Sequence, residues 1–371
     1  MIAGGGIAGS SLFRYMAEAG MNPILVNADR GSSWRNIGGG RTAFSLPELA
    51  EIAAQNHHIF KELQYLSNID YKPIRYISFA HDEETYKALE ASKAWSKAEM
   101  IAPKQFREEI SPYFNANPKK YISALVSEDC WQATPGKVVD LVRNLGIAAG
   151  GTVMEDCRVL EACREGKYTS VLVQTHDKKY VEYRTEHFVN ALGSGAGKLC
   201  DSMGIDAGLY PVRHQAFITR RLPMLGKHGT NLDMLIDRQD YKGFSAVYGQ
   251  QIAYTGQIIG CASPKLDAMC IDKNLKVNTK AFLEIVSEMF SEWIPDLAGV
   301  GIQAVWAGYY TEPRYIVDPE LGLFVGMRGH GFMLSQYIAR MYVDKLLGRP
   351  VPGYFEKLKL NGPGLSEKAF K

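Results

Sequence analysis

Glycines near the start of the chain have a spacing that suits the binding of a dinucleotide. Gly4, Gly6 and Gly9 form the pattern G-x-G-x-x-G between an apolar stub and a stretch with helical periodicity. In this pattern the first glycine makes a tight turn, the second lets the backbone approach a diphosphate, and the third lets helix and strand pack closely. The helix N-terminus also offers unpaired N–H groups and a positive dipole end. The sequence therefore predicts a diphosphate site over Gly4, Gly6, Ile7, Ala8 and Gly9.

The residue expected to contact a ribose is unusual. Residues 23–26 predict a second strand, and in dinucleotide folds that strand ends in Asp or Glu. This chain has Asn27 there, followed by Ala28. An amide can hydrogen-bond a hydroxyl, but without the charge assistance of a carboxylate. We therefore expect the cofactor to be held more weakly than with a carboxylate, and an Asn27→Glu substitution to strengthen binding.

Two later strand–glycine–helix stretches and one loop are further candidates for ligand contact. The first stretch spans residues 187–199, and the second runs from residue 323 into the last helix. The loop at 30–41 holds three arginines and three consecutive glycines, a composition that suits a ligand loop or a flexible surface loop. The candidate contacts in these segments are Arg35, Gly39, Gly40, Arg41, Ala191, Gly193, Arg328, Gly329, His330, Gly331, Phe332 and Met333.

The bulk composition is ordinary for a globular protein and argues against several classes. The 371 residues are 46% hydrophobic and 22% charged, and the net charge of +2 suggests neither nucleic acid nor an acidic membrane as partner. The six cysteines form no C-x-x-C pair and no zinc-type cluster, so we predict reduced thiols and no metal site. With no signal peptide and no apolar stretch of about 20 residues, we predict a cytoplasmic protein without a membrane span.

The order of elements predicts an α/β nucleotide-binding domain, and the chain as a whole is expected to be α+β. The three strand–glycine–helix stretches have the same α/β pattern, whereas the stretches between them are rich in predicted β-strands. We predict a discontinuous Rossmann-like nucleotide-binding domain with an inserted mixed β-sheet domain that binds substrate. The first comprises residues 1–72, 134–209 and 313–371, and the second comprises residues 73–133 and 210–312.

The motifs at 4–9, 189–193 and 328–332 together resemble the flavin-dependent superfamily of D-amino-acid oxidase, glycine oxidase and sarcosine oxidase. Residues 211–215 and 305–310 look like the β subunits of sarcosine oxidases and of archaeal dye-linked L-proline dehydrogenases. The resemblance covers nearly the whole chain. It implies that the first domain binds FAD in extended form, with the flavin ring at the domain boundary. The predicted FAD contacts then also include Val159 and Gly308.

Departures from the family pattern imply non-covalent FAD and a dehydrogenase. Many of the oxidases attach flavin through a cysteine close to the segment that matches 306–310, and this chain has none there. The simpler sarcosine oxidases place an oxygen-assisting lysine on the strand that matches 257–261. This stretch lacks one, and Lys265 lies beyond Pro264. The same oxidases hold the substrate carboxylate with a lysine where this chain has Met333, as in the proline dehydrogenase type.

Arg41, Tyr309, Tyr310 and His330 are the candidate catalytic residues. By resemblance, Arg41 lies in the loop that carries a carboxylate-binding arginine, although its guanidinium also suits a phosphate or a backbone carbonyl. A phenol at Tyr309 or Tyr310 would orient the amine or the carboxylate, and an ordinary core aromatic pair is the alternative. His330, between two glycines, is expected to fix the loop or touch flavin rather than act as a base.

These features lead us to expect oxidation of a small amino acid or secondary amine to an imine, by hydride transfer to FAD. Proline, sarcosine and glycine are the kind of substrate implied by the resemblance. One alternative is a flavin-carrying electron-transfer subunit of a multi-subunit amine dehydrogenase. A nicotinamide-dependent dehydrogenase is open from the first motif alone. The sequence does not indicate the electron acceptor, and other subunits or a second copy of the chain are open as partners.

Overall fold

The computed structural model describes residues 1–111, 114–115, 117–222, 225, 232–238, 244–252, 255–264, 275, 279–295 and 298–367. The helices are α1 Ile7–Glu18, α2 Pro47–Leu66, α3 Glu83–Ser92, α4 Phe106–Glu109, α5 Pro135–Ala148, α6 Ala196–Ser202, α7 Thr279–Trp293 and α8 Gly331–Leu346. The strands are β1 Ile2–Ala3, β2 Ile24–Asn27, β3 Gly39–Gly40, β4 Lys72–Ala80, β5 Ala98–Ile101, β6 Ser123–Gln132, β7 Thr152–Glu155, β8 Arg158–Glu165, β9 Tyr168–Gln174, β10 Tyr180–Thr185, β11 Val189–Asn190, β12 Tyr210–Thr219, β13 Met234–Asp237, β14 Phe244–Gln251, β15 Ile258–Pro264, β16 Ile302–Glu312, β17 Ile316–Asp318 and β18 Leu323–Val325.

The first of the two large sheets has six strands in the order β17-β18-β11-β1-β2-β7. All of its pairings are parallel except that of β17 with β18. Ile2 and Leu25 pack against α1, α2, α5 and α8, whereas Ala3 and Val26 pack against the three-stranded sheet of β8, β9 and β10. Parallel strands covered on both faces read as continuous apolar runs, which explains these short, wholly hydrophobic segments. The ends of β1 and β2 therefore meet at one edge, where such folds bind ligands.

A nine-stranded sheet runs in the order β16-β12-β15-β14-β13-β4-β6-β3, with β5 paired to β6. Its pairings are antiparallel except for β13 with β4. One face packs against α7 through Phe217, Phe282 and Phe290. Because side chains alternate along a strand, the neighbours of Phe217 on β12 point to the other face, where His214 and Ala216 line a cavity.

The mixed α/β fold with a Rossmann-type sheet is confirmed. The strands of the six-stranded sheet all come from residues 1–72, 134–209 and 313–371, and those of the nine-stranded sheet from residues 73–133 and 210–312 apart from β3 and the first residue of β4. β3 is only Gly39–Gly40, which pairs with Trp131 and Gln132. The domain boundaries stay a prediction. No helix among the described residues is long and apolar enough to span a bilayer.

Element ends differ from the sequence patterns at several points. The apolar periodicity predicts helices over residues 10–20 and 333–347, whereas α1 begins at Ile7 and α8 at Gly331, because the glycine turns run straight into the helices. The pattern over residues 252–261 predicts a strand, whereas β15 begins only at Ile258. Before β15, Gly256 has a positive φ and the Ile252 N–H donates to the Gln257 carbonyl.

Candidate functional site

The first glycine turn has the backbone geometry of an anion site. Gly4 has a φ of +107°, and a Cβ there would lie 2.6 Å from the Ala191 carbonyl oxygen. A Cβ on Gly9 would collide with the carbonyl oxygen of Gly4, so α1 can pack on this turn only through glycine. α1 starts directly after Gly6, and this N-cap residue has no side chain that could bond to the first N–H groups of the helix. Since the Ile7 N–H already donates to the Ser33 hydroxyl, the N–H groups of Ala8 and Gly9 are those that can bind anionic oxygens.

Side chains from two other segments lie over this turn. The Ser33 hydroxyl accepts a hydrogen bond from the Ile7 N–H at 2.8 Å. Asn27 is 8% exposed and lies over Gly5, where a Cβ would collide with its Oδ1. Its Nδ2 donates to Oε2 of Glu155 at 2.7 Å. Sequence reasoning treated Asn27 alone and missed Glu155, which could be found only by knowing that β7 pairs with β2.

The remaining predicted contacts on this side surround the ends of the central strands. Ala28 follows β2, and Ala191 follows β11 with its N–H donating to the Ala3 carbonyl at 2.9 Å. Gly193, at a φ of +58°, begins a short 3-10 turn before α6. The Val159 side chain is buried with Val26 beneath the three-stranded sheet, so a ligand would meet its backbone.

A cavity of about 390 Å³ lies between the nine-stranded sheet, the loop before α8 and the segment 32–41. It brings together residues from opposite ends of the chain. The predicted site residues that line it are Arg35, Gly39, Arg41, Gly308, Tyr309, Tyr310, Arg328, Gly329, His330, Phe332 and Met333. Gly40 packs against the Trp131 indole, and Gly331 lies beside Met327, so neither glycine lines the cavity.

The loop that leads into α8 is held by side chains on both sides. Arg328 has a φ of +48°, and its Nε donates to Oε2 of Glu312 at 2.8 Å. A Cβ on Gly329 would collide with the Tyr310 ring, so the ring lies flat against bare backbone. His330 Nδ1 is 2.5 Å from the Tyr315 hydroxyl. Burial, together with nearby arginines, lowers the pKa of His330 well below its usual value, so the imidazole is neutral near pH 7.

Two phenols and an imidazole form the polar wall of the cavity. The hydroxyls of Tyr248 and Tyr310 are 2.9 Å apart. The Tyr310 ring stacks on His214 with centroids 3.6 Å apart. His214 Nδ1 has no hydrogen-bond partner in the described part of the chain, contrary to the usual interpretation of a hydrogen-bonded core histidine. Burial raises the pKa of both phenols and lowers the pKa of His214 to about 3.

The charged groups of the cavity wall are mostly cationic. Among the described residues that line it, four are arginines and one, Glu312, is acidic. Arg41 is 3% exposed, donates to the Ala43 carbonyl, and lies 3.9 Å from the Phe44 ring centroid. Sequence reasoning missed Arg238, which follows β13. Burial and then the Arg41 guanidinium lower the pKa of Arg238 to about 9, while the Glu367 carboxylate opposes them.

A Rossmann-type sheet with a glycine turn, joined to a cationic cavity, is the architecture of a flavin-dependent oxidoreductase. Residues 1–345 match the model of the family described as DAO, FAD dependent oxidoreductase. The chain belongs to this DAO family of FAD-dependent oxidoreductases, and its cofactor is FAD. The family resemblance inferred from the three glycine motifs is thereby confirmed.

Solved structures agree on the fold. L-proline dehydrogenase from P. horikoshii has a TM-score of 0.82 at 22% identity, over 97% of this chain and 96% of that chain. Glycine oxidase from Geobacillus kaustophilus has a TM-score of 0.79 at 18% identity, over 97% of each chain. Iminodiacetate oxidase from Chelativorans sp. BNC1 has a TM-score of 0.76 at 14% identity, over 98% of this chain and 99% of that chain. No curated protein sequence matches the chain.

The residues at both ends of the site fit FAD. The turn at Gly4 and Gly9 excludes side chains where a diphosphate needs backbone N–H groups. The second end offers a largely apolar cavity with arginines and phenols in its wall, beside the N-terminus of α8, which can stabilise negative charge on a flavin. Within the described residues, no group of three or more His, Cys, Asp or Glu could hold a metal ion.

Proposed function

We propose that this protein oxidises a small amino acid or secondary amine with a carboxylate, such as proline, sarcosine or glycine, to the corresponding imine. The observation that carries the proposal is the cavity beside the α8 loop, whose wall combines arginines with a hydroxyl pair. The structural neighbours include proteins named as a proline dehydrogenase and a glycine oxidase, which supports the same class of substrate.

The carboxylate of the substrate would lie on the arginine side of the cavity. Arg328 is paired with Glu312, and the Glu367 carboxylate acts on both Arg41 and Arg238. Arg41 and Arg238 both line the cavity, and each guanidinium therefore already has an acidic group in its surroundings. The four arginines of the cavity wall outnumber the carboxylates of Glu312 and Glu367, and this excess of positive charge favours a bound carboxylate, since charge-assisted hydrogen bonds are about twice as strong as neutral ones. We assign Arg238 to the carboxylate and Arg41 to the support of that site.

The amine side of the substrate would face the two phenols. Tyr248 and Tyr310 stay neutral near pH 7 because burial raises their pKa, so they donate or accept hydrogen bonds without carrying charge. They can orient a neutral amine and hold the Cα–H bond toward the flavin, and orientation is the main catalytic contribution required of the protein. The bound FAD supplies the acceptor for the hydride equivalent that leaves Cα. His330, fixed by Tyr315, would hold the loop at the flavin.

FAD would be held by the predicted contacts of the glycine turns and without a covalent bond. Gly308 stands in the cavity wall and offers no thiol. Cys261 does line the cavity, but burial raises the pKa of its thiol to about 12, so it is a poor nucleophile. Acid precipitation of the holoenzyme is therefore expected to release the flavin into the supernatant, and flavin that stays with the precipitated chain would contradict this.

Electrons would pass to an acceptor other than oxygen. The described strand β15 carries no lysine, whereas the family resemblance implies an oxygen-assisting lysine on the matching strand of the simpler sarcosine oxidases. Lys265 lies outside the described residues. Dye reduction and oxygen consumption with the same substrate provide the comparison. Dye reduction should be faster, and equal rates would favour an oxidase.

Matched substrate pairs test the substrate class. The purified holoenzyme is assayed by dye reduction with proline against pyrrolidine, and with sarcosine against dimethylamine. We expect activity with at least one amino acid and a large loss with its decarboxylated partner, because the arginine wall then lacks its anion. Equal activity with both members of each pair would show that the enzyme does not recognise the carboxylate. No activity with any amine would contradict the proposal.

A further inference from the structure

We propose that Glu155, at the end of β7, is the carboxylate that receives the ribose hydroxyls of the adenosine half of FAD. In dinucleotide folds that acid stands at the end of the second strand, where this chain has Asn27. β2 and β7 are parallel neighbours, and Asn27 and Glu155 face each other in register. Their side chains therefore leave the sheet on the same face. The carboxylate is thus at the end of β7, next to the end of β2 where dinucleotide folds usually have it.

The hydrogen bond between the two side chains sets what they present to a ligand. Nδ2 of Asn27 donates to Oε2 of Glu155 at 2.7 Å, and Oδ1 of Asn27 lies over Gly5. With the amide donor directed at Glu155, the pair offers an oxygen from each residue as an acceptor. Ribose hydroxyls are donors, so this surface suits them as a single carboxylate would. The Glu155 side chain is 52% exposed, which leaves it accessible at the rim of the turn.

Arg143 positions Glu155 and links it to the glycine turn. Its Nη1 is 2.7 Å from Oε1 of Glu155, and its Nη2 donates to the Gly5 carbonyl at 3.1 Å. The guanidinium also lies 5.7 Å from the Trp34 ring. Nε of Arg143 and Nε1 of Trp34 are buried with no hydrogen-bond partner in the described part of the chain. Two such donors beside the turn are what the anionic oxygens of a diphosphate would satisfy.

This arrangement reverses the simple expectation for Asn27. A glutamate at position 27 would place a second carboxylate against Glu155, and adjacent like charges destabilise each other. Asn27→Glu alone should therefore weaken FAD binding, whereas combining it with Glu155→Gln should restore it. The role of Glu155 concerns the cofactor alone and is independent of the proposed substrate.

The experiment measures FAD release from the full-length holoenzyme by the rise of flavin fluorescence, and displacement of FAD by ADP or by 2′,3′-dideoxy-ADP, which lacks both hydroxyls. ADP should displace FAD at about tenfold lower concentration than the dideoxy analogue, as expected for charge-assisted hydrogen bonds. Glu155→Gln should speed FAD release about tenfold and remove most of the difference between the two ligands. Glu161→Gln, an exposed carboxylate on β8, is the matched control and should behave as the parent.

Three results would overturn the proposal: equal displacement by the two ligands in the parent, an unchanged ligand ratio in Glu155→Gln, or tighter FAD binding in Asn27→Glu alone. If Glu155→Gln does not fold, as judged by circular dichroism, the Asn27→Glu variant and the parent ligand ratio decide between support and rejection. Slower FAD release in Asn27→Glu with Glu155→Gln than in either single variant supports the proposal.

Discussion

The two ends of the proposed FAD site are built in different ways. At the adenosine end, the turn from Gly4 to Gly9 presents backbone N–H groups to a ligand, and the close contacts of its glycines leave no room for side chains. At the cavity end, Arg238 directly follows β13, Tyr248 lies on β14, which pairs with β13, and Tyr310 lies on β16, 62 positions after Tyr248. The adenosine end would bind the diphosphate, which every FAD carries, whereas side chains at the cavity end can distinguish one substrate from another. Affinity for the cofactor and choice of substrate can therefore be altered separately.

The largest expected effect comes from a side chain added to the backbone-built end. Gly9→Ala places a Cβ against the Gly4 carbonyl oxygen, so strand and helix must separate. Overpacking of this kind costs up to about 3 kcal/mol, and because FAD binds the undistorted turn we expect a loss of up to about 100-fold in FAD affinity. The measurement is the flavin content of the purified protein. Gly31→Ala, where a Cβ meets nothing within 4 Å, is the control and should retain flavin. A fully loaded Gly9→Ala protein would contradict the account of this turn.

Removal of a guanidinium tests the cavity end next. Arg238→Met should raise the KM for the amino acid about 30-fold through the loss of about 2 kcal/mol, with FAD release unchanged. Arg41→Met should raise KM as well and also lower the melting temperature, since Arg41 is 3% exposed and bonded to the Ala43 carbonyl. Steady-state kinetics and thermal unfolding separate the two variants. A rise in KM confined to Arg41→Met would reassign the carboxylate to Arg41.

Acid should destabilise the cavity end, where His214 and His330 lie with lowered pKa values, and also the surroundings of His57, whose pKa burial lowers to about 4 outside the cavity wall. The pKa of His214 is about 3, whereas an unfolded histidine binds a proton below about pH 6.5. Between these values the unfolded state holds more protons, so the free energy of unfolding decreases as pH falls. Each such histidine contributes up to about 1.4 kcal/mol per pH unit. Urea unfolding at several pH values should show a shallower dependence in His214→Asn, and an unchanged slope would show that His214 is not the cause.

The smallest effect is expected from the loss of one hydroxyl. Tyr248→Phe removes the hydrogen bond to Tyr310, worth about 1 kcal/mol, and should lower kcat/KM about fivefold without changing FAD release. Tyr71→Phe removes a hydroxyl that bonds to His57 outside the cavity wall and serves as the matched control. Equal losses in the two variants would mean that the effect is on stability rather than on the substrate.

The sequence predicted the two ends unequally, for a physical reason. A backbone site depends on glycines a few positions apart, so Gly4, Gly9, Gly193 and Gly329 could be located from spacing alone. The cavity depends on register between strands, which periodicity does not reveal. Arg238 and Tyr248 were therefore missed, although both line the cavity. Arg41 was found from the composition of its loop and received a carboxylate-binding role only through a family resemblance, and Tyr310 was left open between a substrate contact and a core aromatic.

The same limit applies within the adenosine end. Asn27 was identified as a departure from the expected acid, but its partner Glu155 is 128 residues away in the sequence. Only the parallel pairing of β2 with β7 brings them together. The prediction that a glutamate at position 27 strengthens binding followed from viewing Asn27 alone, and the contact with Glu155 gives a reason to expect the opposite.

The most direct test of the central claim, that the cavity presents an amino acid to the flavin, is reduction of the holoenzyme flavin under anaerobic conditions. Each candidate amino acid is mixed with the protein without any other acceptor, and the visible absorption of the flavin is followed. The account predicts that at least one carboxylate-bearing amine bleaches the flavin at a rate that saturates with its concentration. In Arg238→Met, the concentration that gives half the maximal rate should be higher. A flavin that dithionite bleaches but no amino acid or amine reduces would contradict it.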